Sequence, residues 1–488
     1  MNWFAWCSAL ALLITTSAAL ADDADVPPTV SLKVTAAAEP SPALKYKLLP
    51  GPLERKPGNA ATFYYRAIVL HLQNSNRADL DRQYSEHVEA WEGEWQGAPP
   101  ESLRRWLEFH PPSMFGEIRT ATHRERCDFD FRVQDIHGPE LISFLLPEVQ
   151  EMRTLGRLLK FKARLALADG NFEEAAELLK QGYQLGCDTA SEPLLINGLV
   201  GIAVCSLMNA EVERWIGTAD SPNLYWALSS LPSPLIDLRP ALVQETGFPV
   251  RYFPFLEDPE HAQHTPEQWQ RMLSDAVRQI TNDFPSPQIR PQNPLAALQS
   301  ELTSAFVLAR AYPQAKAGLL KAGYTAEQLE KMPVGQVIAI EMKRVTRYMA
   351  DEFAKGAQLP QKQRERFYTE VVDRLKRERY LGASDTREPL PLASLLMPAV
   401  EAAFRAQSRL DRDLAALRTL EAIRLHLAAK GELPEKLSDI TAVPLPNNPF
   451  TDEPFPYHRE GNRATLEVPQ PPGMPPQIGK RYVLTIAR

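Results

Sequence analysis

Two short stretches of this 488-residue chain bring together residue types that could do chemistry. In "EDPEHAQHTPEQ", His261 and His264 stand three apart and Glu257 precedes them. On one helix face, two imidazole nitrogens and a carboxylate could hold zinc or a similar ion. The same stretch contains Asp258-Pro259 and Thr265-Pro266, two helix-start signatures in which acids face the positive end of the helix dipole. That structural reading takes precedence, so no metal and no cofactor are assigned. In "RERCDFDFR", Asp128 and Asp130 flank Phe129. On a strand both carboxylates would share a face, as paired acid–base work requires, and an exposed polar edge has the same pattern. Tyr225, Trp226, Tyr252, Phe253 and Phe255 could line a groove for a peptide or glycan, or fill a core. The chain has no G-x-S-x-G elbow, H-E-x-x-H, P-loop, G-x-G-x-x-G or EF-hand loop. No catalytic residue is therefore named. A hydrolytic site would have to assemble from distant positions near 251–264 or 127–137, drawing on His123 or His137.

Composition narrows the class further. The net charge of −7 is mildly acidic and dispersed, which leaves no electrostatic footprint for nucleic acid. Even the basic run "DRLKRERY" carries Asp373 and Glu378 and reads as a solvated helix face. Proline, at 43 residues, is nearly twice its average share of about 5%, and it falls mostly between apolar stretches as helix starts and rigid connectors. The first residues, "MNWFAWCSALALLITTSAALADDADVPP", have an apolar core from Trp3 to Ile14, then Ala19-Leu20-Ala21 before Asp22. This is a secretory signal pattern, so the chain is expected to be exported, periplasmic or extracellular, with mature residue Asp22 and no membrane span after cleavage; the alternative is a segment kept as an uncleaved anchor. Three cysteines then remain, an odd number for an oxidising compartment. Cys187 and Cys205 could bridge one hairpin and leave Cys127 free; the first reading is that all three are small buried hydrophobes.

The elements that must position these residues are mostly helices. Residues 22–50 read as a flexible Pro/Ala-rich leader. A helical domain with repeat-like hairpins is expected over 51–245, and Asn59 could cap its first helix. A second helical region spans 246–394, and a long helix with a small antiparallel sheet spans 395–488. Met152, Leu155, Leu159, Ala163 and Ala166 form one apolar stripe, Asp169-Gly170-Asn171 breaks it, and Phe172, Ala175, Ala176, Leu179 and Tyr183 form the next. That pattern predicts an αα-hairpin. Asn223, Leu224 and Ala227 repeat the turn 52 residues on. Between the two turns, "LLINGLVGIAVCSLM" reads as a helix buried on all sides. Thr265 with Gln268 and Thr325 with Gln328 form capping boxes, and Gly431 ends the long helix. "FPYHREGNRATLEV" alternates around Glu460-Gly461-Asn462 as a hairpin, with "RYVLTIAR" as a third strand. The expected fold is therefore mainly α, an irregular array of helical hairpins with a small C-terminal antiparallel β-sheet.

Gly170, Phe172 and Ala175 resemble the turn of a tetratricopeptide repeat. The segment from the long helix through "VPLPNNPFTDEPFPYHREG" looks like the helix-plus-small-sheet layout of pseudopilins, without the N-terminal helix on which pilus assembly depends. "PALKYKLLPGPLERKPGNAATFYYRA" and "SPNLYWALSSLPSPLIDLRPALVQE" together resemble exported planctomycete proteins of unknown function. That resemblance implies a secreted helical protein and supplies no activity. The expectation is a non-catalytic scaffold or binding protein of the cell envelope, with a protein or envelope component as partner. The alternative is an exported hydrolase with an unrecognised site, with or without a metal.

Overall fold

The computed structural model describes residues 26–74, 76–95, 97–138, 140–143, 147–283, 296–377, 392–471 and 474–487. The signal segment 1–21 and Asp22 lie outside the described residues. Strands β1 (Thr29–Val34) and β2 (Lys56–Asn59) precede helices α1 (Ala61–Leu72), α2 (Arg77–Glu92), α3 (Glu101–Glu108) and α4 (Pro112–Thr122), then strand β3 (Arg124–Arg126). Three long helices follow: α5 (Pro147–Ala168), α6 (Phe172–Thr189) and α7 (Leu195–Gly217). After shorter helices come α8 (Pro266–Asp283), α9 (Ala296–Lys321), α10 (Val334–Ala357), α11 (Gln361–Arg377) and the long α12 (Leu392–Lys430). Strands β4 (Tyr457–Glu460), β5 (Arg463–Val468) and β6 (Lys480–Ile486) close the chain. The fold is mainly α with a small C-terminal sheet.

The described residues group into two compact units. One contains 26–129, 147–238 and 405–487; the other contains 130–143 and 239–404. The division differs from three consecutive regions because the C-terminal strands join the first helices, not a module of their own. β1 supplies the physical reason. It pairs in parallel with β6, Leu32 opposite Leu484 and Val34 opposite Ile486, and gives the sheet order β1-β6-β5-β4. The stretch expected to be a flexible leader is therefore ordered from 26 onward and buries Leu32, Val34, Ala37, Tyr46 and Leu48. Its alternating Val30, Leu32 and Val34 were the strand signal, masked by the surrounding Pro and Ala.

Packing in this first unit starts from the α5–α6 hairpin. Gly170 takes φ +71° at the turn, where its missing Cβ removes the usual steric penalty. The Asn171 side chain caps α6, accepting from the Glu174 amide at 3.3 Å. α7 then lies against both helices at unusually short range. A Cβ on Gly201 would sit 2.5 Å from the Gly186 carbonyl oxygen and 2.8 Å from the Ala190 side chain. A Cβ on Gly156 would lie 3.0 Å from Val204. Small residues thus let three backbones approach closely. α7 runs 23 residues, longer than its apolar run suggests. It is the one helix among the described residues long and apolar enough to cross a membrane, and 67% of its apolar window is buried within the fold. The second hairpin expected at Asn223 is shorter than the first. Asn223 accepts from the Tyr225 amide at 2.9 Å, yet the helix it starts is only Tyr225–Ser229, with Pro232 and Pro234 close behind.

In the other unit, Thr265 and Gln268 exchange both capping bonds, at 2.8 and 3.3 Å, to start α8. Thr325 and Gln328 do the same at 2.8 and 3.2 Å. α10 packs on α8 by placing Gly335 against Trp269, a fully buried ring.

The C-terminal sheet follows strand alternation. Gly431 adopts φ +76° and ends α12, and Gly461 at φ +60° turns β4 into β5. Ala464, Leu466 and Val468 point inward from β5. Phe455 is buried, the Tyr457 hydroxyl donates to the Pro434 carbonyl at 2.9 Å, and His458 is exposed.

Two contrasts test this packing by urea unfolding. Gly201→Ala should destabilise by about 1–3 kcal/mol, because backbone must move to admit the methyl. Gly116→Ala, on an exposed helical site with nothing within 4 Å, should be neutral or stabilising by up to about 1 kcal/mol. Equal effects would mean that α6 and α7 are not in close contact. In the sheet, Tyr457→Ala should cost about 1–3 kcal/mol and His458→Ala less than about 0.5. The reverse order would place the strand one residue out of register.

Candidate functional site

The residues whose types suggested chemistry do not converge. His261 pairs with Asp258, Nδ1 to Oδ1 at 2.9 Å on the surface; that hydrogen bond and the carboxylate's charge raise the imidazole pKa. His264 instead packs edge-on against Trp269, ring centroids 5.1 Å apart. Among the described residues, no group of three or more His, Cys, Asp or Glu side chains is arranged to hold a metal ion, so Glu257, His261 and His264 do not form a triad. Asp128 and Asp130 lie outside any strand. Asp130 takes φ 51°, Asp128 reaches Arg126 at 3.5 Å and Asp130 reaches Arg132 at 3.3 Å. The chain leaves extended geometry at Asp130, so the strand that would align the two acids does not form. His123 and His137 bond to nearby backbone carbonyls, of Arg119 at 2.8 Å and Asp135 at 3.2 Å.

Of the aromatic residues that could line a groove or fill a core, three are core. Tyr225, Tyr252 and Phe253 are buried to within 2% of full exclusion. Tyr225 donates to the Pro444 carbonyl, and Tyr252 and Phe253 meet edge to face with ring centroids 4.6 Å apart. Trp226 is half-buried and donates from Nε1 to Glu39 at 2.8 Å. These rings hold segments together, because apolar area of this size is worth more inside than in a groove.

A polar centre does form, at the C-terminal end of α6. Asp188 is buried there. Its Oδ2 accepts from the Tyr64 hydroxyl at 2.6 Å and its Oδ1 from Gln184 Nε2 at 2.7 Å. Arg55 donates to Gln184 Oε1 at 3.3 Å. The loop after β3 wraps this end of the helix. The Ser191 hydroxyl lies 2.8 Å from the Cys127 carbonyl and 2.7 Å from that of Asp188, and the Phe129 amide donates to Glu192. Asn59 holds the same loop, bonding both the amide and the carbonyl of Asp128 at 3.0 and 2.7 Å. Asn59, expected to cap α1, stands one residue before its N-cap, Ala60; its side chain accepts from the Ala61 amide at 3.1 Å and also fastens the loop.

Electrostatics follow from burial. Loss of water pushes the Asp188 carboxyl up to about 7, although Tyr64 and Gln184 both favour its charged form. Burial, then the Asp188 charge, pushes the Cys127 thiol far above its usual range and Tyr64 likewise. Cys127 therefore stays a thiol at neutral pH and is a poor nucleophile. The centre can hold and release a proton near neutrality, on Asp188. Sequence reasoning missed it. The available signal was Gln184 and Asp188, four apart on the helix and flanking the apolar stripe that ends at Tyr183.

No protein-family model, curated protein or solved structure matches the chain.

Asp188 carries a pH signature. Its folded pKa lies above the unfolded value of 3.8, so its contribution to stability is complete below about pH 4 and is lost as pH rises through about 7. Ionising it in the fold costs roughly 4 kcal/mol more than in the unfolded chain. Asp188→Asn mimics the neutral acid. Relative to wild type, its urea-derived stability should rise by a few kcal/mol between pH 4 and pH 8. Parallel curves would show that Asp188 ionises as readily folded as unfolded.

Proposed function

We propose that this chain is an exported, non-catalytic helical scaffold or binding protein of the cell envelope, with a protein or envelope component as its partner. The observation that carries this reading is where the buried polar chemistry goes. Asp188 joins α6 to Tyr64 of α1. Glu421 joins α12 to the Leu224 amide at 3.1 Å. Glu213 of α7 accepts from Lys480 at 2.9 Å and from the Tyr482 hydroxyl at 2.6 Å, both on β6. Each carboxylate closes on partners far away in sequence and fastens the framework. The N-terminal Ala19-Leu20-Ala21 pattern supports export, and the acidic net charge of −7 argues against nucleic acid as the partner.

One observation favours the second reading, an exported hydrolase. Asp188, at about 7, has the proton affinity a general acid needs. The two readings separate by experiment. Purified wild type and Asp188→Asn should show the same background on ester, amide, glycoside and phosphoester substrates. A hydrolysis that Asp188→Asn abolishes while the variant remains folded at pH 5 would make the protein an enzyme. Crosslinked envelope fractions of the native host should contain the chain in a complex larger than the monomer. Recovery from the cytoplasm as an uncomplexed chain with an intact Met1 would overturn the scaffold reading.

A further inference from the structure

We propose that Cys187 and Cys205 form a reversible disulfide that locks α6 to α7 and leaves Cys127 as a thiol. The inference goes beyond the scaffold reading and stands on the packing of two helices. Gly186 and Gly201 bring α6 and α7 into backbone contact. Cys205 Sγ occupies the space this opens, 2.5 Å from where a Gly186 Cβ would lie and 3.9 Å from the Tyr183 carbonyl. Cys187 is the next residue on α6, and its thiol lies close enough to act on that of Cys205. Cys205 therefore faces the turn of α6 that carries Cys187, and a bond between the two helices needs such close approach. All three cysteines are thiols in this structure. Cys127 differs in surroundings, since its neighbours are Asp188 and Ser191.

Exposure sets the order of events. Cys187 is half-buried, whereas Cys205 is fully buried. Of this pair, an incoming disulfide, of a dithiol oxidoreductase or of glutathione, meets Cys187 first. Its sulfur attacks one sulfur of that disulfide, forming a mixed disulfide and releasing the first thiol. Cys205 then attacks the Cys187 sulfur and the second thiol leaves, taking up the Cys205 proton. Overall, two protein thiols lose two hydrogens and two electrons, and one external disulfide becomes two thiols. The closed ring contains the α6–α7 turn, so the bond restricts the unfolded chain across that turn.

The test uses the mature chain in glutathione buffers of defined ratio, quenched with acid, unfolded and alkylated. In oxidised glutathione the protein should become two hydrogen masses lighter. The peptide map should join Cys187 to Cys205, and Cys127 should be alkylated. Dithiothreitol should reverse the change. Cys205→Ser should trap glutathione on Cys187, and Cys187→Ser should form no internal bond. Should Cys205→Ser fail to fold, the wild-type map and Cys187→Ser decide alone. A bond that includes Cys127, or alkylation of all three cysteines after oxidation, would overturn the proposal.

Discussion

Glu421 and Arg424 sit one helical turn apart on α12, both fully buried, and Arg424 Nη1 reaches the carboxylate at 3.1 Å. Around them the larger unit is assembled. Arg424 donates to the Thr35 carbonyl at 3.2 Å, just past β1, and to the Ser221 carbonyl and hydroxyl at 2.6 and 2.8 Å. Glu421 accepts from the Leu224 amide, and Asn223 donates to the Glu421 carbonyl at 2.9 Å. One ion pair thus gathers the N-terminal strand, the loop after α7 and the long C-terminal helix. Burial raises the Glu421 carboxyl even beside Arg424, so desolvation outweighs attraction for that group. Such a pair specifies an arrangement more than it stabilises one. Removing a single partner leaves an unpaired buried charge, a loss of about 3–5 kcal/mol.

The sheet depends on that anchor. β1 reaches β6 only because the chain from Thr35 to Ala37 is fixed on α12, where the Ala37 amide also meets the Arg424 carbonyl at 3.4 Å. Gly217, at the end of α7, lets Leu32 approach to the 3.2 Å at which a Cβ would touch it. Arg412, one face further up α12, donates to the Pro469 and Ile478 carbonyls at 3.2 and 2.9 Å and ties down the loop before β6. Helix and sheet are therefore joined by arginine forks to backbone carbonyls, groups that otherwise need water or a ladder partner.

The α5–α6–α7 layer obeys a different constraint. Its helices meet through glycine, which permits van der Waals contact between backbones and leaves little room for error. The same closeness places Cys205 beside Cys187 and brings the end of α6 under the β3 loop, where Asp188 loses its water. The proton-holding centre and the thiol pair are two products of one packing decision.

The sequence by itself determined the local elements. Apolar spacing specified α5 and α6, the Thr-Gln boxes specified two helix starts, Gly170, Gly431 and Gly461 specified turns, and alternation specified β4 and β5 with Phe455 inward and His458 outward. These signals are local, because capping, left-handed glycine and periodicity act within a few residues. Only the tertiary structure decided what those elements mean to one another. Val30, Leu32 and Val34 become a strand because β6 offers an edge 452 residues away. Tyr225, Tyr252 and Phe253 become core instead of a groove because other segments cover them. Asp188 becomes a group that titrates near 7 because Tyr64 and the β3 loop exclude water from it. Desolvation and burial are properties of neighbours, and neighbours distant along the chain leave no periodic mark in it.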